Sequence, residues 1–431
     1  MSRGFARRQL TLAALALNAI KPLPGRWAGI PAFALGWPVS ELAPHLLGAT
    51  VLDTAAELTV RRRTSAPSAT GLVAAAAAAG LLAYSIAGAR RVGTELDDAL
   101  RESIGETYLT DLDLPGPVDL SIPRGSIARP FRFRQHDVEV LRNVSYTEGG
   151  RRARLDIYRP RDTDLSGAPV LIQIHGGGWT IGAKEQQGLL LMNRMAQQGW
   201  ICVSSNYRLA PKHSFPTQIV DVKRAVAWVH ENIEQYGGDP SYVAITGGSA
   251  GGHLAALAAL TPGLPDYQPG FEDSDTSISA CVSFYGVYDV AGLTETQNAV
   301  DMRDRFMAPW VFRKDPETDL DDFVRASPLA HVDEHTPDFF VIHGRNDTLA
   351  PVGEARAFVA ALREYSDATV TYAEIPGAQH AFDVFSSIRS QHTIGAVQRW
   401  LQWHQATHQR ELDSGGRPQG SSRPTRTSPD S

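Results

Sequence analysis

The segment Gly247–His253, which reads GGSAGGH, places a serine where it could act as a nucleophile. The run before it, Tyr242–Thr246, is short, apolar and β-branched, and the run after it, Leu254–Leu260, consists of strong helix formers. We therefore expect Ser249 to lie on a tight turn between a strand and a helix, where flanking glycines permit a strained backbone. A serine hydroxyl held on such a turn becomes reactive when a base takes its proton. By itself the motif is also consistent with an ordinary glycine-rich turn.

A second glycine-rich segment, His175–Trp179, reads HGGGW and lies 74 residues before Ser249 at the end of a strand-like run. Consecutive glycines leave backbone N–H groups free to point outward, and no Cβ obstructs a substrate. Such donors stabilise the negative charge that develops on a carbonyl oxygen during acyl transfer, and one donor contributes on the order of 3 kcal/mol. The segment is therefore a candidate oxyanion hole.

Together with YRLAP at Tyr207–Pro211, these two motifs resemble the hormone-sensitive-lipase-like branch of the α/β-hydrolase esterases, over roughly residues 135–408. The resemblance implies that the backbone N–H groups of Gly177, Gly178 and Ala250 form the oxyanion hole. The usual elbow of this branch is G-D-S-A-G-G, and this chain has Gly248 in place of the aspartate.

The same fold places an acid after a late strand and a histidine in the loop after the last strand. Asp347 follows the strand-like run Phe339–Ile342 and matches the family's H-G-x-x-D pattern, and His380 follows the final predicted strand. We expect His380 to accept the proton of Ser249 and to return it to the leaving group, while Asp347 fixes the tautomer of His380. Activity should then fall at low pH as His380 takes up a proton.

Other polar and aromatic residues near these motifs are expected to have supporting roles. His175 and Trp179 are expected to shape the oxyanion loop and the substrate pocket. His253 should face back along its helix, so a packing role is expected rather than a role as base. His331–His335 matches the zinc-peptidase pattern H-x-x-E-H but lies in a short loop between two prolines, where no helix is expected. We therefore expect no metal and no cofactor.

From residue 131 to 409, short β-rich runs alternate with amphipathic helices, which predicts the α/β-hydrolase fold with a mostly parallel, eight-stranded sheet and helices on both faces. The connection after Tyr288 is too long for a plain loop and predicts a small inserted cap at about residues 289–328. Residues 410–431 are rich in Gly, Ser, Pro and Arg and are predicted to form a disordered tail. The predicted strands are Val138–Asn143, Ala153–Tyr158, Val170–Ile174, Ile201–Ser205, Val243–Thr246, Ala280–Phe284, Phe339–Ile342 and Thr369–Glu374, and the predicted helices are Gly188–Gln198, Gln218–Tyr236, Ala250–Leu260, Val352–Tyr365 and Ile388–His404.

Residues 1–130 do not resemble an enzyme core and are expected to form a hydrophobic, membrane-associated helical region and a linker. No charge occurs from Thr64 to Ala89, a run of 26 residues that exceeds the roughly 20 needed to span a bilayer. A buried or interfacial Ala-rich helix is the alternative, because alanine is close to neutral for insertion. The apolar run Trp27–Leu52 contains prolines and could be re-entrant or a second span. The first residues have the charge-then-apolar order of an export signal but no clean cleavage site, so we expect an uncleaved segment.

Composition is that of a globular protein, with 43% hydrophobic and 20% charged residues, and the net charge of -6 gives no reason to expect a nucleic-acid partner. Cys202 and Cys281 lie in apolar strand-like runs and are expected to be buried rather than paired. The sequence thus predicts a serine carboxylic ester hydrolase for lipophilic or short-to-medium acyl esters, associated with the cell membrane. An arylformamidase-like amide hydrolase, a catalytically silent membrane-anchored binding protein and a cytoplasmic location remain as alternatives.

Overall fold

The computed structural model describes residues 2–23, 28–61, 68–112 and 122–414. Predictions that concern the remaining residues, including most of the expected tail and part of the expected linker, lie outside the described residues.

Eight strands form one mixed sheet in the described chain: β1 (Val138–Ser145), β2 (Arg154–Pro160), β3 (Ala168–Ile174), β4 (Ile201–Ser205), β5 (Gly238–Gly248), β6 (Ala280–Phe284), β7 (Asp338–Gly344) and β8 (Val370–Ile375). Their order across the sheet is β1-β2-β4-β3-β5-β6-β7-β8. Strand β2 runs antiparallel to β1 and β4, and the other neighbouring strands are parallel. All eight predicted strands are present, which confirms the predicted fold class.

The central strands are mostly apolar because helices cover both faces of the sheet. Strands β4, β6 and β7 are buried at every position, and Cys202 and Cys281 are buried, unpaired thiols within them. Parallel strands end at one edge of the sheet, so the loops after β3, β5, β6, β7 and β8 meet there. This edge holds the residues singled out in the sequence.

The helices are α1 (Ser2–Ile20), α2 (Gly29–Glu41), α3 (Ala43–Arg61), α4 (Ala69–Ile104), α5 (Tyr108–Asp111), α6 (Arg124–Ala128), α7 (Leu189–Gln197), α8 (Thr217–Asn232), α9 (Ala250–Leu260), α10 (Gln297–Met302), α11 (Leu320–Ala326), α12 (Val352–Tyr365) and α13 (Ile388–Asp413). The predicted bounds of α9 and α12 are confirmed. Helix α13 continues nine residues beyond the predicted end at His404, because strong helix formers follow and no Gly or Pro occurs before Gly415. Its last turn therefore enters the segment predicted as a tail.

Helix α4 is one continuous helix of 36 residues that joins the N-terminal helices to the sheet domain. Its buried residues recur every three or four positions along its length, as expected for a helix with one packed face. In the first half, Leu82 packs with Ala16 and Ala19 of α1, whereas Val92 and Leu96 in the second half join the core around α13. The sequence analysis predicted an apolar span only over Thr64–Ala89, but the stripe of buried residues continues to Ile104.

Within the described residues, the apolar run predicted over 27–52 lies in α2 and the first part of α3, which are separated at Leu42. Trp27 itself lies outside the described residues. Pro31 lies in the first turn of α2, where a helix tolerates proline because the N–H groups there have no intrahelical acceptor. Among the described helices, α4 alone has the length and apolar composition to cross a membrane, and 33% of its most apolar window is buried.

The long connection between β6 and β7 contains α10, a π-helix at Arg303–Phe312 and α11. Phe312 of the π-helix stacks on Phe215 at 4.8 Å and on Phe323 at 4.2 Å, and all three are buried. The insertion is thus fixed to the main core by aromatic packing.

Candidate active site

Ser249 lies on a sharp turn between β5 and α9, at the edge of the sheet where the parallel strands end. Its backbone has φ 59° and ψ -125°, a strained conformation for a residue with a side chain. The turn is held in place because the Ser249 N–H donates to the carbonyl of Phe284, at 3.0 Å, and the Ser249 carbonyl accepts from His253 N, at 2.9 Å. The strand, turn and helix predicted around Ser249 are therefore present.

His380 and Asp347 lie in the loops that follow β8 and β7, and they are hydrogen-bonded to each other. His380 Nδ1 is 2.6 Å from Asp347 Oδ2, and both side chains are buried. The other oxygen, Asp347 Oδ1, accepts from the backbone N–H groups of Leu349 and Ala350 at 2.9 Å each. Burial raises the pKa of Asp347, but the charge of His380 and hydrogen bonds from His343 and His380 outweigh it and hold this pKa well below its usual range. The carboxylate is therefore ionised at neutral pH.

The HGGGW loop lies directly against the serine turn. A Cβ added to Gly176 would lie 3.2 Å from Ser249 Cβ, which places the two backbones in contact. Gly177 and Gly178 have φ values of 117° and 57°, and a Cβ on Gly177 would lie 2.3 Å from the carbonyl oxygen of Ile181. Glycine is required there because both the conformation and the space exclude a side chain.

His175 and Trp179, at the two ends of this loop, are buried beneath it. The His175 ring stacks on Tyr207 at 4.3 Å, and its Nδ1 donates to the carbonyl of Gly176 at 2.8 Å. Burial lowers the pKa of His175 to about 4, so the ring is neutral at pH 7. Trp179 Nε1 donates to His253 Nδ1 at 3.2 Å. These buried contacts fix the position of the loop.

Both ring nitrogens of His253 have hydrogen-bond partners, as its expected packing role requires. Nδ1 accepts from Trp179, and Nε2 lies 2.8 Å from the carbonyl of Ala326 in α11. Burial lowers the pKa of His253 to about 4. His253, in α9, therefore connects the HGGGW loop to the insertion.

His331 and His335 do not share a helical face. His331 ends a short 3₁₀-helix, Pro328–His331, and its Nε2 is 2.6 Å from the carbonyl of Arg325, whereas His335 lies in the exposed turn beyond. The geometry that the zinc-peptidase pattern requires is not formed by these residues.

Tyr285, which the sequence analysis did not single out, connects the serine turn with His380. Its ring centroid is 4.7 Å from that of His380, and its hydroxyl donates to Asp383 in the same loop as His380. A Cβ added to Gly248 would lie only 2.7 Å from the Tyr285 hydroxyl oxygen. Tyr285 thus occupies the space that a side chain at position 248 would need. This chain has Gly248 where the family usually has aspartate, and that difference was the signal that could have revealed the tyrosine.

We expect Gly248→Ala to lower kcat by about 100-fold, because the added methyl group would displace Tyr285 and with it the His380 loop. In a Tyr285→Ala background the same change should have little further effect, because the space is then empty. Steady-state kinetics of the two single variants and the double variant measure this coupling. Gly353→Ala is the matched control, since a Cβ there meets nothing within 4 Å. Purely additive losses would contradict the steric explanation.

Helix α2 packs against the same loops, although it lies more than 300 residues away in sequence. Trp37 Nε1 donates to the carbonyl of Ala381 at 2.8 Å, and the ring of Phe33 meets that of His380 edge-on at 6.1 Å. Thr348, next to Asp347, donates through its hydroxyl to the carbonyl of Gly29 at 2.9 Å. The sequence analysis assigned this region to membrane association and missed its contact with the site, because no local pattern reports such a distant contact.

A buried ion pair fastens the end of α2 to the start of α13. Glu41 accepts from the Ser387 hydroxyl at 2.6 Å, and Arg389 Nη1 lies 3.4 Å from Glu41 Oε1 and donates to the Ser40 carbonyl at 3.0 Å. Both charged side chains are almost fully buried. The pair therefore holds α2 against the segment that follows His380.

We expect Glu41→Ala to lower the free energy of unfolding by about 3 kcal/mol, because it leaves the Arg389 guanidinium buried without its counter-charge. Urea denaturation of the purified full-length chain measures the change. Glu148→Ala removes an exposed carboxylate and is the control, with no change beyond about 0.5 kcal/mol expected. A variant as stable as the wild type would show that the pair does not fasten α2.

The chain has the features that define an α/β-hydrolase. They are an eight-stranded, mostly parallel sheet, a serine on a strand-turn-helix elbow, and a hydrogen-bonded acid and histidine in late loops. Comparisons with known proteins agree. A family model described as BD-FAE matches residues 155–362. The probable carboxylic ester hydrolase LipM of Mycobacterium tuberculosis is 43% identical over 412 residues, which is 90% of this chain and 90% of LipM.

A second relative and a solved structure are also similar to this chain. Esterase LipQ of M. tuberculosis is 49% identical over 260 residues, 60% of this chain and 61% of LipQ. The crystal structure of an inhibited esterase B from Lactobacillus rhamnosis has the same fold, with a TM-score of 0.54, 22% identity and coverage of 65% of this chain and 91% of that one. The chain therefore belongs to the carboxylic ester hydrolases of the α/β-hydrolase fold, and its activity is that of a carboxylesterase. The resemblance that the motifs indicated is confirmed.

Proposed function

We propose that Ser249, His380 and Asp347 form the catalytic triad of this carboxylesterase. Ser249 Oγ attacks the ester carbonyl carbon while His380 Nε2 takes its proton, and the same proton then passes to the departing alcohol. Water, deprotonated in turn by His380, hydrolyses the acyl-enzyme and regenerates the serine. This chemistry requires no metal and no cofactor.

The observation that carries this proposal is the 2.6 Å hydrogen bond between His380 and Asp347 beside the strained serine turn. With Nδ1 donating to Asp347, the neutral imidazole presents the lone pair of Nε2 to the serine proton. The backbone N–H groups of Gly177, Gly178 and Ala250 are the proposed donors to the oxyanion. The first two belong to the loop in contact with Ser249, and Ala250 is the first residue of α9, where N–H groups have no intrahelical acceptor.

We propose lipophilic acyl esters as the substrates, because aromatic side chains surround these residues. Phe33 meets the His380 ring, and Phe306 of the insertion comes within 3.1 Å of the Cβ position of Gly178. The test is hydrolysis of a p-nitrophenyl ester series from acetate to palmitate. A peak at medium or long chains supports the proposal, whereas a peak at acetate with no activity beyond butyrate contradicts it.

We also propose that the N-terminal helices associate with a membrane. The protein would then be located at the cell membrane rather than in the cytoplasm. Of the 17 large apolar side chains that are exposed in the described residues, ten lie before residue 105. Residues 1–63 carry eight Lys and Arg against three acidic residues, which favours an anionic lipid surface. A deletion of the N-terminal helices is a poor test, because it would remove Val92 and Leu96 of α4 from the core that they form with α13. Sedimentation of the full-length chain with vesicles of phosphatidylcholine and phosphatidylglycerol tests the proposal directly, and a protein that stays in the supernatant contradicts it.

A further inference from the structure

Three segments that contact the proposed catalytic residues also expose large apolar side chains. Helix α2, which touches His380 through Phe33, exposes Ile30 at 72%. Ile181, two residues beyond the HGGGW loop that touches Ser249, lies next to Gly177 and is exposed at 68%. The π-helix of the insertion, whose Phe306 approaches Gly178, exposes Trp310 at 54%. Three separate parts of the chain that contact these residues therefore also present apolar groups at the surface.

Helix α2 has three distinct faces. Ala32 and Gly36 are buried on the side of α1, where Asn18 donates to the Ala32 carbonyl at 2.9 Å. Phe33 and Trp37 are half-buried and stack on each other at 5.3 Å beside the His380 loop. Pro31, Ala34 and Leu35 are exposed, together with Ile30.

The exposed face of α2 carries no polar side chain. The only charged residue in the helix is Glu41, which is buried in the ion pair with Arg389. The exposed side of a helix in water is normally polar or charged, so an entirely apolar side indicates a lipid or protein partner.

An arginine-rich cleft adjoins the same surface. Phe131 is exposed and meets Phe385 edge-on at 5.3 Å, and Phe385 stacks on Trp37 of α2 at 4.5 Å. Phe131 also lines a cleft of about 650 Å³ whose other walls include Arg132, Arg134, Arg142 and Arg161. Apolar side chains beside clustered arginines fit acyl chains beside anionic headgroups, which favours a lipid surface over a protein partner.

We propose that the exposed face of α2, defined by Ile30 and Leu35, docks on an anionic phospholipid surface. Docking there turns the entrance of the active site toward the lipid, so that the chain of a lipid-borne ester reaches Ser249 along Phe33 and Trp37. This inference rests on the proposed membrane association and adds which surface docks and why. The apolar rim lets the acyl chain pass from the bilayer to the site without crossing water.

The test compares Ile30→Ser/Leu35→Ser with a matched control, Val51→Ser/Leu52→Ser. The control changes two exposed apolar residues of α3, which lies in the same N-terminal region and packs on α4. Three quantities are measured: hydrolysis of p-nitrophenyl acetate in solution, sedimentation with phosphatidylcholine/phosphatidylglycerol vesicles, and hydrolysis of a long-chain p-nitrophenyl ester within those vesicles. The last rate is expressed per vesicle-bound enzyme.

We expect the α2 variant to hydrolyse the vesicle-borne ester about tenfold more slowly per bound enzyme and to keep its activity on the soluble ester. The α3 variant should retain the wild-type rate per bound enzyme even if it binds vesicles less tightly. A second variant, Arg132→Glu/Arg134→Glu, should weaken sedimentation with anionic vesicles and leave sedimentation with pure phosphatidylcholine unchanged.

Each contrary result has a separate meaning. A wild-type protein that does not sediment with vesicles contradicts the membrane association and the docking together. Normal sedimentation with an α2 variant that keeps the wild-type rate per bound enzyme contradicts the docking face alone. An equal loss on soluble and vesicle-borne esters would assign Ile30 and Leu35 to the integrity of the site and would also overturn the inference.

Discussion

Ser249→Ala is expected to lower kcat/KM for p-nitrophenyl butyrate by about 10⁵-fold, because it removes the oxygen atom that we propose forms the acyl-enzyme. Oxyanion donors and substrate binding remain in this variant, so a small residual rate above that of water is expected. The rate is measured with the full-length protein, since α2 contributes Phe33 and Trp37 to the surroundings of His380.

The control for this change is Ser241→Ala, which removes an exposed hydroxyl at the start of β5 and should leave the rate within about twofold. A fluorophosphonate provides a second measurement, since the serine oxygen displaces fluoride from phosphorus and the intact mass rises by one adduct. We expect the adduct on the wild type and on Ser241→Ala, but not on Ser249→Ala. Labelling of Ser249→Ala would place the nucleophile elsewhere and contradict the triad.

Asp347→Asn is expected to lower kcat by about 10⁴-fold and to change KM little. The asparagine fills the same space and can still accept from Leu349 N and Ala350 N, but its amide can donate toward His380 Nδ1. This hydrogen bond favours the His380 tautomer that carries its proton on Nε2. In that tautomer, Nε2 cannot accept the proton of Ser249. The control is Asp367→Asn, an exposed carboxylate for which no change is expected.

The same variant gives a prediction for stability against pH. The pKa of Asp347 is lower in the folded protein than its usual value, so its ionised form stabilises the fold at every pH above the unfolded value of about 3.9. This contribution is lost only as the pH falls toward the depressed folded pKa. We therefore expect the difference in unfolding free energy between wild type and Asp347→Asn to be present at neutral pH and to shrink below about pH 4. A difference that disappears near neutral pH would show that the carboxylate is not held in its ionised form.

The N-terminal region packs against the catalytic domain and is not a separate unit. Helix α4 contributes Val92 and Leu96 to the core of the catalytic domain, and α2 closes one side of the site through Trp37 and the buried Glu41–Arg389 pair. LipM matches this chain over 90% of both lengths, so the match extends into the N-terminal region. The N-terminal helices and the residues around Ser249 therefore belong to one packed unit.

The sequence by itself determined the features that depend on short stretches of chain. The β-branched runs and the glycines around Ser249 predicted the strand, turn and helix, because such preferences act between neighbouring residues. Ser249, Asp347 and His380 each follow a predicted strand. Because parallel strands end at the same edge of a sheet, this placement predicted that the three residues would lie close together. The hydrogen bond between Asp347 and His380 agrees with that placement.

Only the tertiary structure decided what fills the space around those residues. Tyr285 occupies the volume left by Gly248, and Trp37 reaches Ala381 across 344 residues of sequence. Helix α4 continues through a change from apolar to charged composition, because one face remains packed along its whole length. Contacts of this kind depend on shape and distance between remote segments. A single sequence encodes them, but its local periodicity and motifs do not reveal them.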